Sequence, residues 1–320
     1  MSYLEDSKDK NAKKRFIEAV SDNTGRVNYD SWIQNLRDNR QLFRKTGWAS
    51  ENLQGVGEGK TAIIIGSSPA LEKQIPTLRD IQYDKEFLIC GLSSNLPYLL
   101  DNGIRPHYVT AVDADKSTGD DWNNLNMDRT KSIVLVANTF AYPPMLEKWK
   151  GKLYFLGLDS SAKSMMRKHN KWYGKINGMG VGFPSLMAQF NILVALALLM
   201  FECRVLIFVG HELSFADKSA QYYVDRKDYR DHQKRFPHGD IHLNKVHTTT
   251  GLLAVKYSLE AWLENVAGFG WFFNCTEAGI FGVSKKFPYP HRIPWIQQLT
   301  LKGGIAQARQ IMRTGQPFYE

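Results

Sequence analysis

Lys60-Thr-Ala-Ile-Ile-Ile-Gly-Ser-Ser-Pro-Ala-Leu-Glu-Lys73 is the stretch on which the fold turns. Ala62 to Ile65 is a short, β-branched, apolar run, the pattern of a buried strand. Gly66 breaks it. Ser67 and Ser68 suit a helix N-terminus, and Pro69 fits the first turn, where a missing N–H costs nothing. Leu71, Ile75 and Leu78 then recur at helical spacing. Strand, tight turn and helix follow one another, and free backbone N–H groups with two hydroxyls at a helix N-terminus suit a phosphate. An ordinary βα turn fits the same letters. The Lys of a Walker loop and the three glycines of a dinucleotide fingerprint are both missing.

Outward from this stretch, strand-like and helix-like runs alternate. Strands are predicted over 61–65, 86–90, 108–112, 132–137, 153–156, 204–209 and 271–274. Helices are predicted over 71–80, 95–102, 144–149, 183–200 and 249–266. Such alternation implies a mainly parallel, doubly wound sheet, an α/β Rossmann-like domain. Three segments follow: a helical N-terminal appendage (1–59) with two amphipathic helices and a Gly-rich linker at 54–59, the nucleotide-binding catalytic domain (60–283), and a basic C-terminal extension (284–320) ending in a helix over 297–312.

The 320 residues carry a net charge of +9 and are 43% hydrophobic, enough for a sizeable core and biased toward anionic partners. Cys90, Cys203 and Cys275 sit in or beside apolar runs, with no paired or metal-ligand spacing, and read as reduced core residues of a cytoplasmic protein. The apolar run Ile192–Phe201 is too short to span a bilayer, which takes roughly 20 residues.

Ligands of open parallel sheets collect at the carboxyl ends of the strands. Gly66, Ser67 and Ser68 fall there, as do Asp113 and Asp115, Asn138, His211 with Glu212, and Asn274 with Thr276 and Glu277. Asp113 and Asp115 have the oxygen chemistry and spacing for one Mg²⁺; helix capping by one and solvation of the other is the alternative. A neutral His211 suits proton abstraction from a hydroxyl, and His211 and Glu212, being adjacent, face opposite ways on extended backbone. Gly180, in Gly178-Met-Gly-Val-Gly, precedes a long apolar helix and permits close backbone approach to a ligand. Lys163, Arg167, Lys168 and Lys171 are interleaved with Trp172, and Lys285, Lys286 and Arg292 mark the extension; cations and aromatics together suit phosphate contact with stacking. A solvated helix face fits the first of these tracts as well. His232, His238, His242 and His247 lack the tight spacing of a zinc site.

Four segments resemble the MptE-like family: Gly66-Ser-Ser-Pro-Ala-Leu, Asn102-Gly-Ile-Arg-Pro-His-Tyr-Val-Thr-Ala-Val-Asp, Gly210-His-Glu-Leu-Ser-Phe, and Asn274-Cys-Thr-Glu-Ala-Gly. That family includes archaeal 6-hydroxymethyl-dihydropterin diphosphokinases and bacterial motility accessory factors that glycosylate flagellin, and it is distantly similar to Rossmann-like bacterial sialyltransferases. Ser68, Ala70, Glu212 and Ala278 depart from its usual pattern. The resemblance implies a nucleotide phosphate at the first loop. It leaves open a glycosyltransferase using a nucleotide-activated sugar and an ATP-dependent diphosphokinase with Mg²⁺ on Asp113 and Asp115. A non-catalytic nucleotide- or nucleic-acid-binding module remains a third reading. The basic tracts favour the glycosyltransferase, with a hydroxyl acceptor on a polyanion, modified DNA being one candidate.

Overall fold

The computed structural model describes residues 11–120, 122–156, 188–216, 223, 234–283 and 292–317. In chain order, helices α1 (Ala12–Asp38) and α2 (Arg40–Thr46) precede β1 (Thr61–Ile65), α3 (Leu71–Ile81), β2 (Phe87–Leu92), α4 (Leu96–Asp101) and β3 (Tyr108–Ala111). Then come β4 (Val134–Asn138), α5 (Pro143–Glu147), β5 (Lys152–Leu156) and α6 (Gln189–Ala195), which runs on into a π-helical turn at Leu196–Met200. The rest is β6 (Val205–Val209), the hairpin β7 (Phe236–Gly239) and β8 (Lys245–Thr248), α7 (Thr250–Asn265), β9 (Trp271–Asn274), β10 (Gln297–Gln298) and α8 (Leu301–Thr314).

Eight strands form one parallel sheet in the order β10-β9-β6-β1-β2-β3-β4-β5. β1 is central and all its residues are buried. From β1 the chain steps outward through β5, then returns to β6 on the other side of β1. The order of winding therefore reverses between β1 and β6, where open α/β sheets place their ligands. Alternate residues serve opposite faces. Ala62, Ile64, Leu206 and Phe208 pack with Phe190 and with Ile192 to Ala195 of α6, and with Leu253 and Tyr257 of α7. Ile63, Ile65, Val205 and Ile207 pack with Leu71, Ile75 and Leu78 of α3 and with Leu301, Ile305 and Ala308 of α8. A third cluster joins Val109, Ala111, Leu135 and Ala137 to Phe43, Met145 and Leu146.

The expected α/β alternation is present, with strand ends shifted by one or two residues. Three features differ. Residues 297 and 298 form edge strand β10, and the last helix begins at Leu301, because the Thr300 hydroxyl accepts from the Gly303 N–H and sets the cap there. Residues 236–248 form a hairpin that sequence reading left unassigned. The Gly-rich segment at 54–59 is no loose linker: Gly55 and Gly57 donate to the carbonyls of Met200 and Phe201, at 2.8 and 2.7 Å. The three cysteines are free and buried, and burial pushes their thiol pKa values up. Among the described residues no helix is long and apolar enough to cross a membrane.

Candidate active site

At the switch point the loops after β1 and β6 touch. A Cβ on Gly66 would fall on the Gly210 carbonyl, and Gly210 itself has φ +62°. Glycine at both positions is a steric requirement of this approach. The Gly66 N–H donates to Val209 O at 2.8 Å and the Ser68 N–H to Gly210 O at 2.9 Å. Glu212 completes the closure: its carboxylate accepts from the Ala70 N–H at 2.6 Å, and its own N–H donates to the Ser68 hydroxyl at 3.3 Å. Burial raises the Glu212 pKa, against the opposing pull of the Ala70 N–H, the Ser68 hydroxyl and Lys73. The cradle of free N–H groups expected of this turn is therefore corrected. The amides of Gly66, Ser68 and Ala70 are bonded within the protein, and a carboxylate already meets the α3 N-terminus, where the helix dipole favours an anion.

On the β2 side Ser67, Ser93 and Asn95 are buried and Ser94 is half-buried. Ser67 Oγ lies 3.2 Å from Ser94 Oγ. Asn95 joins the ends of β1 and β2, donating to the carbonyls of Ile65 and Gly66 at 2.9 Å each and accepting from the Leu92 N–H at 2.9 Å. Gln189, at the start of α6, donates to Ser93 Oγ at 2.8 Å and to the Thr110 carbonyl. Asp113 and Asp115 are exposed on either side of buried Ala114. Asn138 is the last residue of β4 and fully buried; its Nδ2 has no hydrogen-bond partner, and neither does Thr110 Oγ1 on the neighbouring strand β3. Buried polar groups are nearly always paired, so these two orphans at a ligand-prone edge call for a partner, as do His211 Nε2 and Gln74 Oε1 on the other side of β1.

His211 points into the core, away from Glu212, as adjacency requires. Its ring stacks on Phe190 at 3.5 Å and meets Phe281 edge-on at 5.3 Å. It is only 6% exposed, and Nε2 has no partner. Desolvation alone pulls its pKa down to about 3, so the imidazole is neutral. Asn274, Thr276 and Glu277 are engaged in building the loop after β9. Asn274 Nδ2 donates to Phe281 O and Gln298 Oε1, at 3.0 and 2.9 Å. Thr276 Oγ1 accepts from the His211 N–H at 3.1 Å. Glu277 Oε1 accepts from the Leu301 N–H at 3.0 Å, at the first turn of α8. A cleft of about 290 Å³ lies beside it, lined by Lys73, Gln74, Thr77, Thr300 and Lys302. Glu260 of α7, in a buried ion pair with Lys256 at 2.7 Å, accepts from the Gly282 N–H at 2.8 Å and steadies this loop from behind.

Ser67, Ser94, Asp113, Asp115 and Asn138 thus fall at or just past the carboxyl ends of β1 to β4, and His211 and Glu212 on the loop after β6; of these, Ser67 and Ser94 are in contact. Gly180, Lys163, Arg167, Lys168, Lys171, Trp172, Lys285 and Lys286 lie outside the described residues, and Arg292 is exposed beside its backbone bridge to Val283. No cluster of three or more His, Cys, Asp or Glu groups suited to a metal occurs among the described residues. Sequence reading missed Ser93, Ser94 and Gln189 as edge residues and took Asn95 only as a helix start. The one available signal was the run of small polar residues immediately after a strand.

A polar carboxyl edge on a doubly wound parallel sheet, with its switch point at the central strand, defines a Rossmann-like α/β protein. A family model described as 6-hydroxymethylpterin diphosphokinase MptE-like matches residues 30–218, and the chain belongs to this MptE-like family. No curated protein sequence matches it. Among solved structures it is similar to a MAf glycosyltransferase from Magnetospirillum magneticum AMB-1, with a TM-score of 0.57 and 13% identity. The match covers 85% of this chain and 43% of that one, so this chain spans less than half the length of its structural neighbour. At that identity the likeness establishes the fold.

Proposed function

We propose that this chain is a transferase that seats a nucleotide-activated sugar along the β1–β4 carboxyl edge and moves the sugar to an acceptor hydroxyl. The observation that carries the proposal is the buried, unpartnered Asn138 Nδ2 at the end of β4, with a second orphan, the Thr110 hydroxyl, on the neighbouring strand β3. A ligand carbonyl or phosphate oxygen would satisfy the amide donor. The hydroxyls of Ser67 and Ser94 supply donors for the phosphates, since most of the turn's backbone N–H groups are already committed. Asp113 or Asp115, both exposed, would accept the proton of the acceptor hydroxyl as its oxygen bonds to the anomeric carbon and the sugar–phosphate bond breaks, releasing the nucleotide. Where Mg²⁺ takes part, the same two carboxylates would hold it against the phosphates. His211, enclosed by Phe190 and Phe281, serves this reading as a neutral wall beneath the site. The cationic tracts at 163–171 and 285–292 would bind a polyanionic acceptor, with DNA as the first candidate to test.

The family description favours a second reading, diphosphate transfer from ATP. The leaving group separates the two. Chromatography of a reaction with nucleotide sugars and with ATP should show nucleotide released from the sugar donor and abolished by Asp113→Asn. Release of AMP from ATP alone would put the diphosphokinase first.

A further inference from the structure

We propose that Asn35 of α1 and Asn39, the residue that caps its C-terminus, are positioning residues that set the Asp113–Asp115 loop against Asn138. The assignment rests on the reading of the β1–β4 edge as the ligand site.

Helix α1 is 27 residues long and lies outside the sheet, yet its C-terminal part is bonded into the edge. Asn35 Nδ2 donates to Ala114 O at 2.9 Å and to Phe140 O at 3.1 Å. Asn39 Nδ2 donates to Thr139 O at 3.0 Å and to Ala141 O at 2.8 Å. The two asparagines are one helical turn apart on a single face. Trp32 extends that face, stacked on Phe140 with ring centroids 4.7 Å apart. Asn35 is 8% exposed and Asn39 1%.

The need for these donors follows from where the strands stop. β3 ends at Ala111 and β4 at Asn138, so carbonyls beyond them leave the sheet ladder while still buried. A carboxamide nitrogen carries two N–H donors, and both asparagines use both. Asn35 divides its pair between two loops. One recipient, Ala114, sits between the two aspartates; the other, Phe140, is two residues past Asn138. A single side chain therefore ties the loop that carries the carboxylates to the loop that follows the orphaned amide. The other end of α1 packs elsewhere, with Phe16 edge-on to Tyr257 of α7 and Ile17 buried in the same cluster.

Asn35→Asp is nearly isosteric and replaces the two donors by an oxygen facing two carbonyl oxygens. Asn35→Ser keeps a smaller polar group and serves where the aspartate variant does not fold. Ile17→Ala loosens the same helix at its far end and controls for general destabilisation. The full chain is followed by amide hydrogen exchange over residues 112–116 and 139–142, and by thermal shift with ADP, CDP, GDP and UDP. The Asn35 variants should exchange about tenfold faster than Ile17→Ala in both segments. They should also need about tenfold more nucleotide for half-maximal shift. Exchange equal to that of Ile17→Ala overturns the assignment. So does faster exchange with wild-type nucleotide response. If no nucleotide shifts the wild type, the reading of the edge has failed, and the positioning role falls with it.

Discussion

Replacing His211 by Phe should flatten the acid limb of stability. The imidazole is buried between Phe190 and Phe281, and its pKa is depressed to about 3 by desolvation. The unfolded chain takes up this proton near pH 6.5, so the neutral ring contributes stability that is fully present above about pH 6.5 and is lost as pH falls toward 3. The loss is about 1.4 kcal/mol per pH unit within that window. Between about pH 7.5 and pH 5, only the part below 6.5 counts, so wild type should lose about 2 kcal/mol through this residue alone. Phe reproduces the stacking shape and has no proton to take up. Its packing effect, of either sign, is the same at both pH values and cancels from the comparison. Urea unfolding followed by tryptophan fluorescence gives the four free energies needed. His107, whose pKa burial and Lys60 also lower, titrates in both proteins and cancels too. If wild type and variant lose the same stability between the two pH values, His211 is not held neutral in a dry site, and the account of the β6 loop is wrong.

Asn138→Ala should cost little stability, because the side chain's Oδ1 contacts are long, at 3.4 and 3.5 Å, and should weaken nucleotide binding about tenfold, the worth of one hydrogen bond of about 1.4 kcal/mol; thermal shift against nucleotide concentration measures it. Glu277→Ala should remove the acceptor at the first turn of α8 and lower stability by about 1 kcal/mol in urea unfolding, with nucleotide response unchanged. Gly66→Ala should destabilise by about 3 kcal/mol or more, since the new Cβ meets backbone that is not free to shift; circular dichroism melting checks this, and a stable, well-folded variant would refute the steric role of that glycine. Glu212→Ala removes the carboxylate from the Ala70 N–H and should let inorganic phosphate raise the melting temperature more than it does in wild type.

The fold was largely legible because its signals are local. Ala62 to Ile65 and Val205 to Val209 are uninterrupted apolar runs between turn residues, and such runs have few alternatives to buried parallel strands. The hairpin at 236–248 carries no such signal: Phe-Pro-His-Gly and Lys-Val-His-Thr are short, and tertiary bonds such as Ile241 N–H to Gly279 O, at 2.9 Å, hold their turn in place. At the candidate site, sequence placed the polar residues at the carboxyl ends of the strands but could not tell who answers whom. Glu212 reaches Ala70 across 142 positions and Asn35 reaches Ala114 across 79, and no local pattern encodes either partner. Gly66 shows the same limit from the other side. In the sequence it reads as the break that ends β1, while in the folded chain it is also the room that Gly210 needs.

The central claim, that the β1–β4 carboxyl edge seats a nucleotide-activated sugar, is tested most directly by calorimetric titration of wild type and Asn138→Ala with nucleotide sugars of each common base and with ATP, in the presence and absence of Mg²⁺. The account predicts saturable binding of at least one nucleotide sugar to wild type, weakened about tenfold in the variant. Equal affinity in the two proteins, or no binding by wild type to any of these ligands, would contradict it.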